Sequence, residues 1–217
     1  HPQSYYRTGV TNPDFAGVAR FLRQLEVPRA LHVHFNGAAG NVAAGKYNDG
    51  SPENRGILAR RLADGMKQAW ESTVMTHIGP DDITWSSEQC FLPPARHLSK
   101  IRTFPDDSLL VRSNAARLAW LDRCQAGKKI SVSCLSLRNI RILHLPGEPF
   151  VEFQLAAKAF RNDLHVAVAG YGDYGPSYIG TGEAYALGGY ETGYASNVTP
   201  EAGDILMETI KKLLRHE

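Results

Sequence analysis

Imidazole, carboxylate, thiol and phenol groups carry metal and acid–base chemistry, and few of them fall together here by local spacing. His32 and His34, in "RALHVHF", stand two residues apart, so a strand would put both on one face like a metal pair. No acidic residue accompanies them locally, and the same spacing describes two half-buried strand histidines. His144, in "ILHLPG", reads as structural. Glu148 follows Pro146-Gly147 at a strand end, where a turn can aim a carboxylate into a cleft. The alternative for Glu148 is a helix-N-terminal acid that favours the dipole. Gly170–Tyr194 holds six of the nine tyrosines and eight of the twenty glycines, mixed with Asp173, Glu183 and Glu191. A packed core does not ask for that mixture, and a disordered linker would not carry so many aromatics. Gly170, Gly172 and Gly175 satisfy G-x-G-x-x-G after a strand, but Pro176, Ser177 and Tyr178 interrupt where a helix must open. A nucleotide site is therefore not read. Cys90, Cys124 and Cys134 are odd in number and lack C-x-x-C spacing, which suggests buried free thiols, with one disulfide left open.

The elements that must position these groups follow from periodicity and punctuation. Residues 12–26, "NPDFAGVARFLRQLE", have helical spacing, with Asn12 able to cap, Pro13 suited to the first turn, and Val18, Phe21, Leu22 and Leu25 on one face. "RALHVHF" (29–35) reads as a strand that ends in the small-residue loop "NGAAGNVAAGKYNDG" (36–50). A second helix runs from Ser51-Pro52 to about Thr73, with Ile57, Leu58, Leu62, Met66 and Trp70 inward. "DDITWSSEQCFL" (81–92) alternates as a strand until Pro93-Pro94 breaks it, and a helix covers roughly 107–125. Strands over 130–137 and 140–145 flank a tight connection at Arg138-Asn139. A helix is expected from Glu148 to about Arg161, and "HVAVAG" (165–170) is a strand feeding the tyrosine-rich segment. The last helix, 199–217, places Ile205, Leu206, Ile210 and Leu213 at core spacing. Strands alternating with helices predict an α/β fold: a mixed sheet with helices on its faces, in a single layered domain, antiparallel around 81–145.

A chain of 217 residues can bury the core of one such domain, and 43% apolar with 21% charged residues is ordinary for a globular protein. The net charge of +2, with basic residues dispersed over helices, implies no nucleic-acid partner and no acidic membrane surface. No run approaches the roughly eighteen apolar residues of a transmembrane helix. The sequence starts at His1 without a methionine or signal segment, so it leaves the compartment open, and the oligomeric state with it.

Four stretches in series carry a resemblance: "HPQSYY" at the start, "NGAAGNVAAG" at 36–45, "LPGEPF" at 145–150 and "SYIGTGEAYALGGYE" at 177–191. Together they resemble the catalytic domain of the neutral/alkaline non-lysosomal ceramidase family, in its bacterial ceramidase-like branch. The resemblance describes residues 1–217 as the C-terminal portion of such a domain, with an upstream part missing and no immunoglobulin-like domain. It implies a zinc amidase that cleaves the amide between a fatty acid and a sphingoid base. Family zinc is held by two histidines, a glutamate and a tyrosine. The resemblance carries one histidine onto His1, the glutamate onto Glu148 and the tyrosine onto Tyr178, and it leaves the first histidine upstream. A further active-site tyrosine, twelve residues later, falls on Tyr190, with Glu183 and Tyr185 in place between. Gly40 and Asn41 match the family's loop motif, but Ala43 stands where the family has a serine assigned a catalytic role. The family leans towards secreted or periplasmic proteins.

With Ala43 in that position, the resemblance leaves hydrolysis by metal-activated water, since zinc lowers the pKa of its water to roughly 7. His1 and Glu148 would hold Zn²⁺, with Tyr178 as a weaker ligand or an adjacent hydrogen-bond donor. Tyr190 would steady the developing oxyanion, and Asn41 with nearby loop amides would orient the substrate. Asp173 is a candidate general base, although a loop aspartate is ordinarily a turn residue; Tyr171, Tyr174 and Tyr194 read as packing and surface. The expected substrate is a lipid amide of ceramide type, or a smaller amide or ester, as the loops are short and glycine-rich. The alternative function is a catalytically inactive relative that binds a lipid or polar ligand.

Overall fold

Alternating apolar and small polar residues build the four strands around which the larger part of the chain is organised. The computed structural model describes residues 3, 4, 9 and 11–215, so His1, Tyr5 and Tyr6 lie outside the described residues. Strand β1 (Ile83–Cys90) pairs antiparallel with β2 (Ile130–Leu137), which pairs antiparallel with β3 (Ile140–His144). The β2–β3 connection is the expected hairpin, with Arg138 in the left-handed region at φ 51°. β3 pairs parallel with β5 (His165–Ala169), so the sheet is mixed, in the order β1-β2-β3-β5. A second, two-stranded parallel pair joins β4 (Glu148–Pro149) to β6 (Tyr178–Ile179).

One face of the larger sheet is buried through Cys90, Ile130, Val132, Cys134, Leu143, Val166 and Val168. Helix α8 (Glu201–Arg215) lies on β1 and β2, α6 (Val151–Phe160) lies on β5, and the two helices touch. The α8 stripe expected from spacing is buried at Leu206, Ile210 and Leu213, each such side chain contributing about 1.5–3 kcal/mol. On the opposite face Trp85 stacks on His144, with ring centroids 4.9 Å apart, which gives His144 a packing role.

The helix expected over 107–125 is two helices, α4 (Leu109–Ser113) and α5 (Ala115–Gln125), preceded by α3 (Arg96–Ile101). Asn114 breaks it: its side-chain amide donates to the backbone oxygen of Leu110 at 2.9 Å, competing with the helical ladder.

Contacts divide the chain into two compact units, residues 1–35 with 42–77, and residues 36–41 with 78–217. The first unit packs α1 (Asp14–Glu26) against α2 (Glu53–Ser72). Buried Ala19, Ala59 and Ala63 let the helices approach, while Phe21 and Leu25, expected inward, are each 63% exposed. Ile57 and Trp70 are likewise exposed rather than inward. The alanine face makes the contact because small side chains admit closer packing of the backbones. Residues 29–35 do not form the expected strand: Arg29 and Ala30 lie in a turn closed by the Ala30 N–H on the Val27 oxygen at 3.1 Å, and 31–35 pair with no strand among the described residues. Their alternation is compatible with a strand, but a ladder also needs a neighbour to take up its backbone groups. His32 instead meets Gln24 at 3.4 Å through Nδ1, and its backbone oxygen accepts from Arg20 at 2.7 Å.

Candidate active site

Glu148 was expected to open a helix, but it lies in β4, and the helix begins at Val151. Pro149 explains the difference, because the residue before a proline is pushed out of the helical region into extended backbone. Gly147 turns the chain into that strand at φ 61°, and a Cβ on it would stand 2.3 Å from the backbone oxygen of Ser177. Only glycine meets both demands. The backbone N–H of Glu148 donates to that same Ser177 oxygen at 2.8 Å, and β4 pairs in register so that Glu148 faces Tyr178 across the ladder.

The Glu148 residue is 2% exposed, so its carboxylate needs hydrogen-bond donors. Tyr174 supplies one, its phenol O–H donating to Oε1 of Glu148. Burial, reinforced by the charge of Glu148, raises the pKa of Tyr171, Tyr174 and Tyr178, that of Tyr174 to about 12. The phenols therefore stay protonated at neutral pH. The ring of Tyr178 meets that of Tyr190 edge-on, with centroids 5.9 Å apart and planes at 73°. Tyr190 itself is 69% exposed, so the cluster runs from a buried carboxylate out to a phenol in solvent.

The loop between Gly170 and Tyr178 is bent sharply: Tyr171 at φ 62° and Ser177 at φ 54° both occupy the left-handed region, at about 1–2 kcal/mol each. Asp173 holds that shape. Its backbone oxygen accepts from the Gly147 N–H at 2.8 Å, and its carboxylate accepts from Arg123 at 2.9 and 2.6 Å and from the Gly175 N–H at 3.2 Å. The Arg123 hydrogen bonds keep the Asp173 carboxyl below the usual carboxylate range. A carboxylate engaged in that way is a poor proton acceptor, so Asp173 is a loop anchor rather than a general base. Trp120, one turn before Arg123 on α5, donates from its indole to the Asn197 backbone oxygen at 3.0 Å. Its ring also stands 2.4 Å from where a Cβ on Gly175 would be, which reserves that position for glycine.

Loop 36–41 reaches the same region. Gly40 N–H donates to the Pro149 oxygen at 3.0 Å, and a Cβ at Gly40 would lie 2.4 Å from the Glu148 backbone oxygen. Asn41 accepts from the Val151 N–H at 2.9 Å and donates to the Glu152 carboxylate at 2.9 and 3.1 Å, so it caps the start of α6. Glu148, Tyr178, Tyr190 and Asn41 thus all belong to the second unit, and His1 lies outside the described residues. Cys90, Cys124 and Cys134 are buried free thiols, and burial pushes Cys124 up to about 11.

Among the described residues no three His, Cys, Asp or Glu side chains are grouped to hold a metal ion. The set implied by the sequence contributes one carboxylate and one phenol from these residues, on facing strands. The carboxylate is an oxygen donor of the kind zinc accepts, and the facing phenol is compatible with a place beside such an ion. Tyr174 is the site residue that sequence reasoning missed. Its partner lies twenty-six residues upstream, and the only local signal was the density of tyrosine around Asp173.

No protein-family model matches the sequence, and no curated protein matches it. Among solved structures the chain is similar to a ceramidase complexed with C2, with a TM-score of 0.65 and 15% identity over 94% of this chain and 42% of that one. It is similar also to the neutral ceramidase from Pseudomonas aeruginosa, with a TM-score of 0.62 and 15% identity over 98% of this chain and 42% of that one. The likeness is one of fold: this chain has a ceramidase-like α/β architecture and spans 42% of the length of either structure.

Proposed function

We propose that the chain carries part of the active site of a zinc-dependent hydrolase that cleaves an amide. The observation supporting this is the buried Glu148 carboxylate, paired across the strands with Tyr178 and leading out to Tyr190, within a ceramidase-like fold. Glu148 and Tyr178, with His1, would hold the zinc ion, which when bound supplies Lewis acidity and a water acidic enough to attack near neutral pH. Tyr174 occupies one oxygen of Glu148 and so fixes the carboxylate's orientation. Tyr190, at the exposed end, donates a hydrogen bond from its phenol to the substrate carbonyl oxygen and steadies the negative charge that develops there. Asn41 and the loop 36–41 amides border the substrate, which is a ceramide-like N-acyl amide or a smaller amide or ester. No helix among the described residues is long and apolar enough to cross a membrane.

The test is the metal content of the purified protein together with hydrolysis of N-acyl amides of graded chain length. Stoichiometric zinc and turnover, both lost in Glu148→Ala, are expected. Absence of both metal and turnover would falsify the proposal. Ala43, in place of the family serine, favours a second reading in which the protein binds such amides without cleaving them. Saturable amide binding with no product is the result that selects it.

A further inference from the structure

Two tyrosine-bearing loops converge on the site, one through Tyr174 and Tyr178 and one through Tyr190, and a single guanidinium behind them is tied to both. Arg117, on α5, donates from Nε to the Asn197 side-chain oxygen at 2.7 Å and from Nη1 to the Asn114 side-chain oxygen at 3.2 Å. Its Nη2 donates to Nε2 of His97 at 2.7 Å and to the backbone oxygen of Tyr194. The guanidinium also lies over the Tyr194 ring, 4.2 Å from its centroid, while the Tyr194 phenol donates to Asn114 at 3.0 Å. From Tyr194 the tie runs to Tyr190 through a turn closed by the Gly193 N–H on Gly189 at 3.0 Å and the Ala195 N–H on Tyr190 at 3.4 Å. From Asn197 it runs the other way, its side-chain amide donating to the Gly175 oxygen at 2.9 Å and its backbone N–H to the Pro176 oxygen at 3.0 Å, beside Tyr174 and Tyr178.

We propose that Arg117 is a positioning residue of this site, holding the Tyr190 loop against the Tyr174–Tyr178 loop, with His97 as the acceptor that orients it. The proposal takes Tyr190 as a working group, and in that respect rests on the function proposed above. A guanidinium has no lone pair to offer, so Nε2 of His97 must accept and its proton must sit on Nδ1. The clamp therefore needs neutral His97. Burial first, and the charge of Arg117 second, hold the His97 imidazole below the usual histidine range, so it stays neutral at physiological pH. The charged and titratable groups around it are Arg117 from α5, the Tyr194 ring from the following loop, and Arg96 on its own helix. Glu201 from α8 and Tyr185 from α7 (Gly182–Leu187) line the same cleft, of about 410 Å³. Protonation of His97 would remove the acceptor and set two cations in contact, which frees the Arg117 side chain from the Tyr190 loop.

The test places 3-fluorotyrosine at position 190 and reads its ¹⁹F signal together with hydrogen exchange of residues 189–196. Arg117→Met is expected to shift and broaden the signal and to speed exchange in that segment about tenfold. Because methionine there could disturb folding, His97→Gln and His97→Ala form a second pair. Glutamine's amide oxygen can accept from Arg117 and should keep the wild-type signal, whereas alanine should move it. In the wild type the signal should also change as the pH falls below 6.5, and His97→Gln should abolish that transition. Where the protein hydrolyses amides, Arg117→Met should lower kcat on the order of ten- to a hundredfold with KM little changed. A wild-type signal and wild-type exchange in Arg117→Met overturn the proposal, as does a pH transition that survives His97→Gln. A wild type without hydrolytic activity sinks the functional reading alone, because the fluorine signal needs no turnover.

Discussion

Helices α8 and α1 both carry an apolar stripe, and they meet different fates. Leu206, Ile210 and Leu213 of α8 are covered by the sheet within their unit, while Phe21 and Leu25 of α1 stand in solvent. The two segments of strand-like alternation repeat the contrast. His165–Ala169 takes its place beside β3, and residues 29–35, equally apolar in alternation, have no strand neighbour among the described residues. An apolar periodicity thus marks a face that could be buried, and only a partner of matching shape converts it into stability. The candidate site follows the same division. Its described members sit in the unit that holds the sheet, on strands and loops held from behind by α5.

The contrast can be broken most directly by truncating both stripes. Leu206→Ala should cost about 3 kcal/mol in denaturant unfolding, against no more than about 0.5 kcal/mol for Leu25→Ala. Equal losses would show that the α1 stripe is covered in solution. Next in size, Gly147→Ala should cost about 2 kcal/mol, since it adds a left-handed alanine and drives its Cβ into the Ser177 oxygen. The Tyr174 phenol should leave Glu148 in the same variant, which a crystal structure or tyrosine ultraviolet difference spectrum would register. Asp173→Asn should cost about 1 kcal/mol by loosening the two-pronged Arg123 contact. That contribution depends on pH with a definite sign. The folded pKa of Asp173 lies below its ordinary 3.8, so its stabilisation is fully present above that value and fades as the pH falls through the folded value. The wild type and Asp173→Asn should therefore converge in stability in strong acid. Smallest is Lys67→Ala, which removes a solvent-exposed pair with Glu71 at 3.9 Å and should change unfolding by less than about 0.5 kcal/mol.

Much of the fold was legible from local pattern. The hairpin at Arg138-Asn139, the strands over 83–90 and 165–169, and the closing helix all appear where periodicity and turn residues placed them. The break at Asn114 was missed because a single polar residue in a helical run is usually tolerated. Glu148 was assigned to a helix although Pro149 directly after it argues for extended backbone. At the site, the tyrosine density of residues 170–194 was visible at once, but it could not sort one phenol from another. Tyr174 and Tyr194 read as packing, yet Tyr174 touches the Glu148 carboxylate and Tyr194 the Arg117 guanidinium. Asp173 read as a possible base because its partner, Arg123, lies fifty residues upstream.

The sequence by itself determined the α/β alternation, the glycine positions that permit close approach around Glu148, and the twelve-residue interval between Tyr178 and Tyr190, since backbone preference and side-chain period act over a few residues. Only the tertiary structure decided which apolar faces are covered and which tyrosines stand near a charge. Those outcomes depend on contacts between segments far apart in the chain, and a local pattern carries no information about what will be packed against it.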